Sequence, residues 1–161
     1  MEIQIVEAYQ YLNELHSLFS EYAAWLDIPL DFQDFDQELS LLPGNYAKPE
    51  GRLYLALVGN EAAGCIALRP FDMTDGTRYC EMKRLFVRDS FRGQGIGRVF
   101  AQRVIDDAKT IGYDEMLLDS FDYMVNAIAL YRKLGFEEIQ SYRYNPYSSV
   151  KYLRLDLKRS I

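Results

Sequence analysis

The chain has 161 residues, enough for one compact domain and too few for two, and its 49% apolar and 26% charged content is that of an ordinary globular protein. A net charge of −6 argues against nucleic acid or an anionic membrane as a partner. No apolar run approaches the ~20 residues that span a bilayer, and the opening MEIQIVEAYQ lacks the basic and apolar regions of a secretory leader, so a cytoplasmic protein is expected.

Residues 2–7 (EIQIVE) alternate as a strand does. Leu12, Leu15, Leu18, Phe19, Tyr22 and Leu26 then recur at helical spacing, and the pattern stops before Pro29. A second, shorter helix is expected from Phe32 to Leu42, ended by Pro43-Gly44. Arg52 to Val58 and Ala62 to Arg69 read as two strands of a hairpin turning at Gly59-Asn60. After Asp75-Gly76 a further strand runs from Arg78 to Val87. The period changes at Gly95, where Ile96, Val99, Phe100, Val104, Ala108 and Ile111 are read as one helix face with a stop at Gly112. Glu115 to Ser120 follows as a short strand. Met124, Ala127, Ile128, Tyr131 and Leu134 mark another helix, closed by Gly135. Phe136 to Tyr142 and Val150 to Leu157 finish the chain as strands separated by Asn145-Pro146.

The expected order is β-α-α-β-β-β-α-β-α-β-β, an α/β (α+β) fold in a single domain over residues 1–161. Strand, helix, strand between residues 78 and 120 requires a right-handed crossover and a locally parallel pair; the remaining pairs are mixed or antiparallel. Cys65 and Cys80 form neither a disulfide framework nor a CxxC pattern and are expected to be buried packing residues. With His16 as the only histidine, a histidine-based metal site or catalytic triad is not expected, and His16 is read as structural.

The stretch FRGQGIGRVF (Phe91 to Phe100) carries three glycines in five positions where a helix is about to start. A strand that ends in such a turn and enters a helix is suited to an anion. The first amides of a helix lack intrahelical partners, the dipole adds partial positive charge, and glycine lets the backbone approach closely. Arg92 and Arg98 add formal charge beside it, and KRLFVR with RGQGIGR (Lys83 to Arg98) is the densest basic region of an acidic chain. That favours a small polyanion over a duplex. The spelling is not GxxxxGK[ST], which excludes a P-loop, and Gly93, Gly95 and Gly97 do not follow the G-x-G-x-x-G spacing of a dinucleotide site.

Arg92-Gly93-Gln94-Gly95-Ile96-Gly97 resembles the R/Q-x-x-G-x-G/A signature of the GNAT superfamily of acyl-CoA-dependent N-acyltransferases. Ala127 to Phe136 (AIALYRKLGF) is similar to that superfamily's A-x-x-L-Y-x-x-x-G-F block, and the resemblance spans residues 3–157. It implies a largely antiparallel sheet with flanking helices and a splayed parallel pair, the strand ending at Val87 diverging from the one starting at Glu115. Acetyl-CoA would enter as cosubstrate, without a metal. Its pantetheine arm would pair with the backbone of Leu85, Phe86 and Val87, and its diphosphate would lie on the amides of Gln94 to Gly97.

The resemblance also implies roles. Glu81, eleven positions ahead of Arg92, stands where many members carry a catalytic base; the alternatives are a strand-surface carboxylate or a salt bridge to Lys83. Tyr131 stands where a tyrosine hydroxyl often serves the cofactor sulfur, and a phenol with a pKa near about 10 keeps the proton that this role requires. A backbone amide near Val87 would polarise the thioester carbonyl. Met124 occupies the position where members commonly have Asn, and Asn126 is two residues further on.

The acceptor side would be walled by residues 21–38 (EYAAWLDIPLDFQDFDQE) and 142–147 (YRYNPY), whose aromatics and carboxylates suit a cation. The expected acceptor is a small amine or an amino-acid-like molecule. A protein lysine or N-terminus, and a non-catalytic acyl-CoA sensor, are the alternatives. A homodimer is common for the resemblance.

Overall fold

The computed structural model describes residues 2–26 and 34–158. Its strands are β1 (Ile3–Glu7), β2 (Arg52–Val58), β3 (Glu61–Phe71), β4 (Tyr79–Val87), β5 (Glu115–Phe121), β6 (Glu137–Ile139) and β7 (Val150–Asp156). The helices are α1 (Leu12–Leu26), α2 (Phe35–Ser40), α3 (Ile96–Ile111) and α4 (Val125–Lys133). The expected order of elements is therefore the observed one. The sheet runs β1-β2-β3-β4-β5-β7-β6, and every neighbouring pair is antiparallel except β4 with β5.

The apolar runs of the inner strands reflect burial on both faces. On β3, Ile66 and Leu68 point to the side covered by α3, packing with Phe100, Val104 and Ala108. Cys65 and Ala67, alternating with them, join Leu15, Leu18 and Phe19 of α1 on the other side. Both cysteines are buried and free, whereas His16 is exposed on α1.

Three expectations change in detail. Val99 is 51% exposed, because at 3.6 residues per turn it falls on the side of α3 away from Val104 and Ala108. The strand expected over 136–142 stops at Ile139, and Tyr142 and Arg143 turn away to bind Glu81. The second helix spans Phe35–Ser40; residues 32 and 33, where it was expected to begin, lie outside the described residues.

Two irregularities in β4 position the site. Its register against β3 shifts between Cys65 and Ala67, and Arg84 in the shifted stretch has φ +60°, a left-handed conformation that non-glycine residues rarely take. On its other edge, β4 pairs with β5 only from Tyr79–Glu115 to Glu81–Leu117. Beyond Glu81 the strands separate, while β5 keeps pairing with β7 as far as Phe121 with Val150. The splayed pair expected from the resemblance is present.

Candidate active site

A groove of about 420 Å³ lies between the end of β4, the glycine turn and the start of α4. Leu85, Phe86 and Val87 line it from the strand, Gly93, Gly95, Ile96 and Gly97 from the turn, and Val125 to Ala127 and Leu130 from α4. Gly93 and Gly95 have φ +81° and +82°, with open space where a Cβ would stand. These two glycines answer a conformational demand. Gly97, inside α3, has only Leu130 Cδ2 at 3.9 Å from its would-be Cβ, so it keeps the groove wall low. The first amides of α3 open into this space with no acceptor a turn earlier. Open amides beside positive-φ glycines make a cradle suited to an anion such as a diphosphate.

Arg92 is held by local contacts: Nε donates to the Val87 carbonyl at 2.8 Å and the guanidinium pairs with Asp89 at 2.7 Å. It also lies 4.9 Å from the ring of Trp25, a half-exposed residue on the groove rim. Arg98 is exposed on the first turn of α3, and Gln94 is exposed in the turn.

The groove continues inward. Leu85, Met124 and Ala127 line both the groove and a cavity of about 60 Å³ set in the gap between the splayed strands. Tyr131 lines this cavity from α4, and Lys83 and Asp119 line it from β4 and β5. Burial holds the Tyr131 hydroxyl far above its ordinary pKa, so it stays protonated. A still smaller space of about 30 Å³ follows; it shares Tyr22, Arg84, Asp119, Ser120 and Met124 with the cavity and reaches Asn145 of the β6–β7 loop. The splay thus holds three adjoining spaces, a passage along the gap between β4 and β5. Met124 borders all three spaces, whereas Asn126 borders only the outer groove.

Glu81 is fully buried on the far face. Arg69 donates to Oε1 through Nε at 3.0 Å and Nη2 at 2.8 Å, and Tyr142 Oη donates to Oε2 at 2.7 Å. Arg143 Nη2 donates to the same Oε2. Burial alone would raise the carboxyl pKa. The cations of Lys83, Arg143 and Arg69, with the Tyr142 hydroxyl, overcome that and hold it at about 2. The ion pairs of Glu81 are with Arg69 and Arg143 in place of the expected pair with Lys83, whose charge acts on it without a salt bridge between the two. A carboxylate so occupied is poorly matched to taking a proton from an ammonium.

Asp119 is the residue that sequence reading passed over. Its Oδ2 is buried without a hydrogen-bond partner, and Arg143 Nε stands 3.9 Å away. Arg69, Arg143 and Tyr142 were likewise not singled out as partners of Glu81. One signal was present: Glu81 and Lys83 alternate with Cys80 and Met82 inside a strand whose one other charged residue is Arg84. Charges at period two in a doubly covered strand need partners from elsewhere.

Comparison with known proteins agrees with this geometry. Residues 12–136 match the model of the acetyltransferase (GNAT) family. An uncharacterised N-acetyltransferase of Dictyostelium discoideum is 34% identical over 98% of this chain and 100% of the relative. A GNAT-family acetyltransferase of Staphylococcus aureus superposes with a TM-score of 0.78 at 25% identity, covering 98% of this chain and 100% of the other. The PaiA N-acetyltransferase of Thermoplasma acidophilum, solved in complex with coenzyme A, has a TM-score of 0.73 at 15% identity over 97% and 99% of the two chains. Sequence and fold give the same answer as the glycine turn did: the chain belongs to the GNAT family of acetyltransferases.

Proposed function

We propose that the chain transfers an acetyl group from acetyl-CoA to the nitrogen of a small primary amine or amino-acid-like acceptor. The observation that carries this reading is the passage between β4 and β5, along which the groove adjoins a cavity lined by Lys83, Arg84 and Asp119. The amides of Gln94 to Gly97 would hold the diphosphate, with Arg92 and Arg98 beside them. The backbone edge of Leu85, Phe86 and Val87 would pair with the arm, and an amide near Val87 would polarise the thioester carbonyl. The bound thioester supplies an activated acetyl group. Tyr131, protonated in its buried setting, donates a proton to the leaving sulfur.

An acceptor entering by the β6–β7 loop meets Asp119, whose Oδ2 faces Arg143 without a hydrogen bond and so is open to accept one from an ammonium and draw off its proton. Glu81 keeps a place in the site in another capacity. Its charge fixes Arg69 and Arg143 and so shapes the acceptor wall.

Free-thiol release from acetyl-CoA, measured across polyamines, aromatic monoamines, amino acids and peptides, tests the reading. Saturable release with a small amine and none with peptides is expected. Release with peptides alone would move the acceptor to the protein class, and calorimetry showing no coenzyme A binding would remove the reading altogether.

A further inference from the structure

We propose that Lys83 is itself an acetylation site, modified by acetyl-CoA held in the groove of the same chain when no acceptor is present. The inference rests on the cofactor reading above and adds a self-modifying step to it.

Lys83 is 4% exposed and sits in the splayed stretch of β4. It lines the cavity of about 60 Å³ together with Tyr131. A space of that size has room for an acetyl group. The same cavity shares Leu85, Met124 and Ala127 with the groove. A primary amine of the chain therefore stands where the far end of a thioester arm would arrive.

The groups facing it are Glu81 and Arg84 on its own strand, Arg69 on β3, Asp119 on β5, Glu38 on α2, Tyr22 on α1 and Tyr131 on α4. Burial pushes the Lys83 ammonium down, with Arg84 and Arg69 adding to the fall and Glu81 and Asp119 opposing it, to a pKa of about 8. Roughly a quarter of such a lysine is neutral at pH 7.5, against about one in a thousand for a solvated one.

The step balances without another reactant. Nζ, having released one proton, forms a bond to the acetyl carbon. The carbon–sulfur bond breaks with its electron pair on sulfur. The sulfur takes a second proton given up by the nitrogen, and the products are an amide, a free thiol and one released proton. The amide fills the cavity and removes a cation from beside Glu81. One turnover then closes the passage.

The full chain incubated with acetyl-CoA, followed by intact mass and peptide mapping between pH 6.5 and 9, decides the matter, with coenzyme A calorimetry run in parallel. The expected result is an acetyl increment on Lys83 at least tenfold faster than on the exposed Lys48, Lys109 and Lys158. It should saturate with acetyl-CoA, fall with excess coenzyme A, and rise with pH with a midpoint near about 8. Lys83→Arg should abolish it while coenzyme A still binds. Binding with Lys83 unmodified, or labelled no faster than the three exposed lysines, overturns the proposal and leaves the transferase reading intact. Absence of binding overturns both. Should the variant fail to fold, the map of the unaltered chain decides alone.

Discussion

The two ends of the passage are made of different material. On the groove side, next to apolar side chains, part of the wall is backbone: two left-handed glycines, the first amides of α3 and the unpaired edge of β4. On the inner side the polar wall is side chains, Lys83, Arg84, Asp119, Tyr22 and Tyr131, and Arg143 joins Asp119 to the cluster of Glu81, Arg69 and Tyr142. A backbone site varies little with sequence once its glycines are present, so it suits a part common to every turnover. A side-chain site is retuned by single substitutions, and suits the partner that differs from one enzyme to the next.

The contrast is most strongly broken by Glu81→Gln. Removing the charge leaves Arg69 and Arg143 facing each other across a buried space, and a loss of roughly 3 kcal/mol in urea denaturation is expected. The acid limb carries the same signature. Glu81 moves from 4.5 to about 2 on folding, so its stabilisation is complete above about pH 4.5 and disappears as pH falls toward 2. The variant should flatten that limb; an unchanged limb would mean that the cluster contributes nothing.

Tyr131→Phe comes next, at the junction of the two regions. Turnover of the best amine should fall on the order of 100-fold, with calorimetric affinity for coenzyme A unchanged. Equal turnover would remove the proton donor from the proposal. Gly95→Ala touches the backbone wall alone. A side chain at φ +82° costs about 1–2 kcal/mol, read as roughly tenfold weaker coenzyme A binding with the acceptor KM unmoved. A shifted acceptor KM would show that the two walls are not independent.

The difference in material also explains what could be read in advance. The glycine turn and the AIALYRKLGF block are contiguous, and their spacing carries their geometry, so the groove, the splay and the order of elements were legible. The Glu81 cluster joins residues 12 and 62 positions apart, a distance at which no local period reports contact. Asp119 lay within what read as a short apolar strand, and only pairing with β7 and the divergence from β4 reveal that it borders the passage. Val99 failed for a smaller reason: its spacing from Ile96 looks helical, but the rest of the buried face lies on the other side of the axis.

Three rungs join β4 to β5, and among the described residues they are the sheet's one parallel seam. In mechanical terms the sheet is two panels, β1 to β4 and β5-β7-β6, stitched together at one corner and open along the rest of the join. Anything extended that lies in the open part takes the position of an absent strand and sutures the panels. An arm seated there would finish the sheet as well as occupy it.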